Sequence, residues 1–144
     1  MSAVVDSELT KEERRVLNST DIAKLILRLS VGVLILFHGV DKIINGIGGV
    51  KHLTVNAGAP EFLAYGVYIG EIAMPILIIL GLYARVASLV LAFNMLVAIF
   101  LAYGGSIFVL GKHGAPLMEL PLLYFTLSIV IFLLGSGKYS VNNN

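Results

Sequence analysis

Apolar residues fill four stretches of the chain, at positions 22–44, 62–82, 86–103 and 119–134, and polar residues collect before, between and after them. A helix crosses a hydrocarbon core of about 30 Å in roughly 20 residues, and each stretch is close to that length. A surface helix of a soluble protein would carry a polar face along its length. These stretches have almost none. The pattern predicts an all-α protein, an integral membrane four-helix bundle.

The polar segments divide the rest. Residues 1–21 read as a cytoplasmic tail, disordered or a short amphipathic helix, around the run Lys11-Glu12-Glu13-Arg14-Arg15. Asp21 is placed to N-cap the first span. No A-x-A-like site follows the first apolar stretch, so a cleaved signal peptide is not expected. Residues 45–60 and 104–118 read as loops rich in turn formers, the second with a short apolar run at 107–110. Residues 81–85 form a tight connection, Pro75 is placed to kink the second span, and Pro121 suits a first helical turn. Residues 22–141 make the transmembrane domain, and 142–144 a short tail.

Lys and Arg near the spans set an orientation. Lys11, Arg14, Arg15, Lys24, Arg28, Arg85 and Lys138 fall on one side, and Lys42, Lys51 and Lys112 on the other. Both termini are therefore expected in the cytoplasm, both long loops outside, and the chain in the cell inner membrane as a multi-pass protein. Gly58-Ala59-Pro60 before the second span and Gly114-Ala115-Pro116 before the fourth hint at an internal repeat.

Composition sharpens this. The chain is 58% hydrophobic and 13% charged, against about 25% charged in soluble domains. A net charge of +1 offers no field for nucleic acid. With no cysteine, thiolate chemistry and protein-ligated iron–sulfur clusters are excluded, and no covalent or thiolate-held cofactor is expected. With no tryptophan, any interfacial aromatic belt must come from tyrosine.

Ionisable groups inside spans are costly and default to a functional reading. Arg28 lies about 9 Å in from the start of its span, and Glu71 and Asn94 lie near mid-depth in theirs. Facing inward, the three could make one hydrogen-bonded cluster. Packing is the competing role, with Arg28 snorkelling to the interface. Arg28, Gly32, Ile35, Gly39 and Lys42 share one helical stripe. A second group, His38, Asp41, Lys42, Glu61, His113 and Glu119, gathers at the outward ends, where two imidazoles could relay protons or meet a quinone headgroup. Interfacial histidines are more often simply wetted surface, and a metal site is not expected. Gly66 and Gly70 form Gly-x-x-x-Gly, and Ala84, Ala87, Ser88, Ala98 and Ala102 give the third span a small-residue face, both signs of close helix packing.

The series Arg28…His38-Gly39-x-x-Lys42, Gly58-x-Pro60…Gly70-Glu71…Gly81-Leu82-Tyr83-Ala84-Arg85, continued by Met95…Ala98, Glu119…Leu122-Leu123-Tyr124 and Gly135-x-Gly137-Lys138-Tyr139-Ser140, resembles the DoxX family of small prokaryotic membrane proteins. The resemblance implies a four-helix inner-membrane protein, some of whose relatives belong to thiosulfate:quinone oxidoreductase, terminal quinol oxidase or oxidative-stress complexes. It transfers no catalytic residue. Two readings stand. One is a quinone- or small-ligand-binding subunit of a membrane redox system, with the bilayer and a redox subunit as partners. The other is a non-enzymatic small transporter or assembly partner, for which a homo-oligomer would be needed to enclose a pore.

Overall fold

A computed structural model describes residues 7–106 and 108–142. The described residues form five helices: α1 (Lys11–Asn45), α2 (Gly48–Asn56), α3 (Glu61–Leu80), α4 (Ala84–Tyr103) and α5 (Glu119–Leu134). α1, α3 and α4 are long and apolar enough to cross a membrane, while α5 is a shorter apolar helix of 16 residues.

α1 does not begin at Asp21. It runs for 35 residues from a capping box at Thr10, whose hydroxyl accepts from the Glu13 N–H while the Glu13 carboxylate accepts from the Thr10 N–H. The box satisfies N–H groups that the first turn leaves orphaned. At 1.5 Å per residue α1 is about 52 Å long, so roughly 20 Å of it extends beyond a 30 Å hydrocarbon core. The polar run at residues 11–15 is thus the exposed end of the first spanning helix. Asp21, inside it, accepts instead from the Lys138 N–H at 3.2 Å.

The expected loop at 45–60 contains α2. Gly46 and Gly58, with φ of +82° and +81°, turn the chain into and out of it, and Thr54 is its buried residue. The 104–118 connection folds back on itself through a bridge between Leu110 and Pro116, with Gly114 at φ +81° matching Gly58 of the other turn. Of the apolar run expected there, Ile107 lies outside the described residues, and Phe108 is almost fully exposed.

Lipid tails are as apolar as leucine, so helices inside a bilayer are held by close packing rather than by burial from water. The core accordingly pairs Val31, Ile35, Ile78, Leu91 and Ile131 with small residues. Gly32 admits Ile79: an added Cβ would stand 2.5 Å from its Cγ1. Ala84, Ala87 and Ser88 of α4 and Ser128 of α5 are buried. Ser88 and Ser128 donate to the carbonyls of Arg85 and Tyr124 on their own helices, which lets them pack as small residues without an orphaned hydroxyl.

α3 is not one plain α-helix. It opens as a 3-10 turn at Glu61–Tyr65, passes through Gly66–Tyr68, widens to a π-helix at Ile69–Ala73 and returns to α at Met74–Leu80. Proline has no N–H, so Pro75 cannot donate to the Glu71 carbonyl four residues back. The Met74 N–H bonds Ile69, five residues back. The anticipated effect of Pro75 is therefore a local change of helical pitch beside Glu71, a device common at functional sites.

Candidate functional site

The wide turn of α3 sets Glu71 against α1. Gly39 makes this approach possible, because a Cβ there would overlap the Glu71 backbone carbonyl. Helical side chains lean toward their own N-terminus, and Lys42, one turn beyond Gly39, reaches back to Glu71. Its Nζ lies 2.6 Å from Oε2, with the Glu71 side chain only 9% exposed. The Tyr68 hydroxyl donates to the Lys42 carbonyl at 3.2 Å and steadies that turn of α1. An ammonium has three protons. Among the described residues Glu71 takes one, and the other two have no acceptor.

Asn94 completes the group from α4. It lies against Gly70, where an added Cβ would stand 2.3 Å from its Cγ. Its amide has no hydrogen-bond partner among the described residues. Lys42, Glu71 and Asn94 line one cavity of about 410 Å³, whose remaining walls are mostly apolar side chains of α2, α3 and α4. Thr54 also lines it, but its hydroxyl already donates to the Val50 carbonyl at 2.7 Å. A cavity of some 300–1,000 Å³ with apolar walls and a few converging polar groups is the usual form of a small-molecule site.

The small residues of α4 divide in two. Ala84, Ala87 and Ser88 pack in the core, whereas Ala98 and Ala102 line the cavity. The Gly-x-x-x-Gly pair divides likewise. Gly70 carries a helix contact, but a Cβ added at Gly66 would meet nothing within 4 Å. α2 roofs the cavity with Val50, Leu53 and Thr54. It is held to α3 by Lys51, 3.3 Å from Glu61 and 4.8 Å from the centre of the Tyr65 ring. The Tyr65 hydroxyl and then the Glu61 carboxylate favour the charged ammonium and raise the Lys51 pKa.

Arg28 is not part of this cluster, and the three-residue constellation expected from the sequence is corrected to two separate sites. Nor does Arg28 snorkel: it is 1% exposed. Its guanidinium donates to the carbonyls of Ile78 and Ile79, both at 3.0 Å, and to those of Ser136 and Tyr139. The first two belong to the last turn of α3, the negative end of the helix dipole. Around them the segment 136–142 wraps the helix end. The N–H groups of Val141 and Asn142 reach the Leu80 and Gly81 carbonyls, and the Ser136 hydroxyl reaches that of Asn142. Gly81, at φ +71°, leaves no room for a Cβ beside Arg28 and Ser140.

The outward group is dispersed. His38 is exposed and sets its ring edge-on to Tyr124, centroids 6.2 Å apart, rather than meeting His113. His113 is exposed in the α4–α5 connection, and Glu119 is exposed at the start of α5. Asp41 accepts from Asn45 on its own helix. Lys42 alone of that group reaches the cavity.

Long apolar helices, bare glycines at their crossings and an ion pair held between two of them define a multi-pass membrane protein with a polar-floored cavity. The DoxX family model matches residues 23–104, more than half of the chain, and the chain belongs to the DoxX family. Its relatives include "Putative oxidoreductase CatD" of Bacillus subtilis (strain 168), 29% identical over 121 residues that cover 82% of this chain and 83% of that protein. No solved structure matches the chain.

Proposed function

We propose that this DoxX protein is a membrane subunit that holds a quinone, or another small hydrophobic ligand, at Lys42, Glu71 and Asn94, in the service of a redox system. One observation carries the reading: an apolar cavity of about 410 Å³ whose floor presents two ammonium protons and an amide that have no partner among the described residues. A quinone carbonyl accepts hydrogen bonds and a quinol hydroxyl donates them. Lys42 can serve the first, and the Asn94 amide either one. The name of the Bacillus relative agrees with an oxidoreductase setting. The apolar stretches and the Lys and Arg distribution support four spans, with both termini on the cytoplasmic side of the inner membrane.

Purification in mild detergent followed by solvent extraction is expected to recover quinone with the wild-type chain, and much less with Glu71→Gln or Asn94→Leu. Equal recovery from all three chains would overturn the assignment of these residues. Solute flux through liposomes that Glu71→Gln abolishes, with no quinone recovered, would replace the reading with transport.

A further inference from the structure

α3 and α4 touch at one level and part above it. At Gly70 the bare Cα lets Asn94 lie against the helix. One turn toward α2, an added Cβ at Gly66 would meet nothing within 4 Å, although Gly66 lines the cavity. The helices splay between these two glycines. Ile69 on α3 and Phe93 on α4 both line the cavity, and both are largely exposed, at 56% and 67%. In a membrane-spanning chain such outward apolar side chains meet lipid. The cavity therefore opens sideways into hydrocarbon.

The depth of the polar floor restricts what can use that opening. α4 has 20 residues, a length of about 30 Å that matches the hydrocarbon core. Asn94 stands at its midpoint, about 15 Å from either end, and Gly70 brings Glu71 to the same level. Lys42 and Glu71 together carry no net charge. A charged headgroup would have to bring an uncompensated charge to the depth where it is most costly. An uncharged head with oxygen acceptors would not, and it would meet the two unused Lys42 protons and the Asn94 amide.

We infer that the ligand is an uncharged amphiphile already dissolved in the bilayer, a small oxygen-bearing head on a long apolar chain, which enters sideways between α3 and α4 over Gly66 and past Phe93. This rests on the cavity being a ligand site, and adds the class of ligand and its route. Ions and anionic lipid headgroups would bring a net charge that this neutral floor does not compensate, and α2 covers the cavity on its loop side with Val50, Leu53 and Thr54.

The full chain in lipid nanodiscs, with a photoreactive side chain at Phe93 in one sample and at Leu53 under α2 in another, separates the route from the site. The probes are a decyl-chain benzoquinone and the same ring without its chain. The chain-bearing probe is expected to bind at least about tenfold more tightly and to label position 93. Gly66→Phe, whose side chain enters open space, is expected to abolish most binding without lowering the unfolding temperature. The labelling arm stands even if that variant does not fold. Equal affinity for both probes, with labelling at 53 and none at 93, overturns sideways entry and leaves the ligand site standing. Labelling at 93 that Asn94→Leu does not reduce marks unspecific capture from lipid and overturns the route. Failure of wild-type chain to bind either probe overturns both readings.

Discussion

Arg28 and Lys42 lie on one face of one helix, 14 residues apart, and both are cations that α1 holds against α3. Their surroundings differ in the one respect that decides what each can do. Arg28 is enclosed, and its guanidinium is bound by four backbone carbonyls. Lys42 spends one proton on Glu71 and faces a cavity with the rest. A charge inside a span signals function only while part of its hydrogen-bonding capacity remains open. Where that capacity is used up by helix ends, the charge is a fastener.

The largest effect is expected at the closed site. Arg28→Met leaves several buried carbonyls without a donor, each costing about 1–3 kcal/mol, so a loss of about 4 kcal/mol or more is expected in detergent unfolding. Arg28→Lys should recover little, because an ammonium cannot spread a planar fork across acceptors from two segments. If either variant unfolds like wild type, the fastener assignment fails. Gly81→Ala comes next, at about 2 kcal/mol, since alanine is disfavoured at φ +71° and its Cβ would crowd Ser140 and Arg28. Limited proteolysis at segment 136–142 should rise with it, because that segment wraps the helix end that Gly81 completes.

The two sites were unequally legible in the sequence. The stripe of Arg28, Gly32, Ile35, Gly39 and Lys42 followed from helical period alone, and all but Lys42 are fully buried, with Lys42 half-buried beside Glu71. The partners of Arg28 were not legible, because they are backbone carbonyls, which every residue carries. The Lys42–Glu71 pair was not legible either. It depends on the register between α1 and α3, which is set where Gly39 meets the Glu71 carbonyl and α3 widens before Pro75. Two misses had visible signals. Thr10-x-x-Glu13 is a capping-box pattern, outweighed by the hydropathy boundary near residue 22. α2 begins with Gly48-Gly49 and reads as loop, yet Val50, Leu53 and Thr54 already show helical spacing of one face.

At the open site, stability and function should separate. Glu71→Gln keeps an oxygen for Lys42 to donate to but leaves the partly buried ammonium without its counter-charge, and is expected to cost about 2 kcal/mol. Quinone recovery should fall much further than that cost implies. If binding and stability decline in proportion, Glu71 resembles Arg28 and the contrast collapses. A double-mutant cycle with Lys42→Met measures the pair directly, with a coupling of about 1–3 kcal/mol expected for side chains in contact.

Asn94→Leu should have the smallest effect on folding and is the sharpest test of the contrast. The Asn94 amide bonds nothing among the described residues, so its removal breaks no protein–protein hydrogen bond. Leucine has nearly the same branched outline and can lie against Gly70 as Asn94 does. The change in unfolding free energy should stay within about 0.5 kcal/mol, or turn slightly stabilising, as when a polar group gives way to an apolar one of similar shape. A polar residue that folding does not use, held at mid-depth in a span, is maintained against its own desolvation cost. Stable protein with impaired ligand binding would place that cost on the side of function. Clear destabilisation by Asn94→Leu would mean that the amide serves packing after all, and the open site would lose the feature that sets it apart from the Arg28 end.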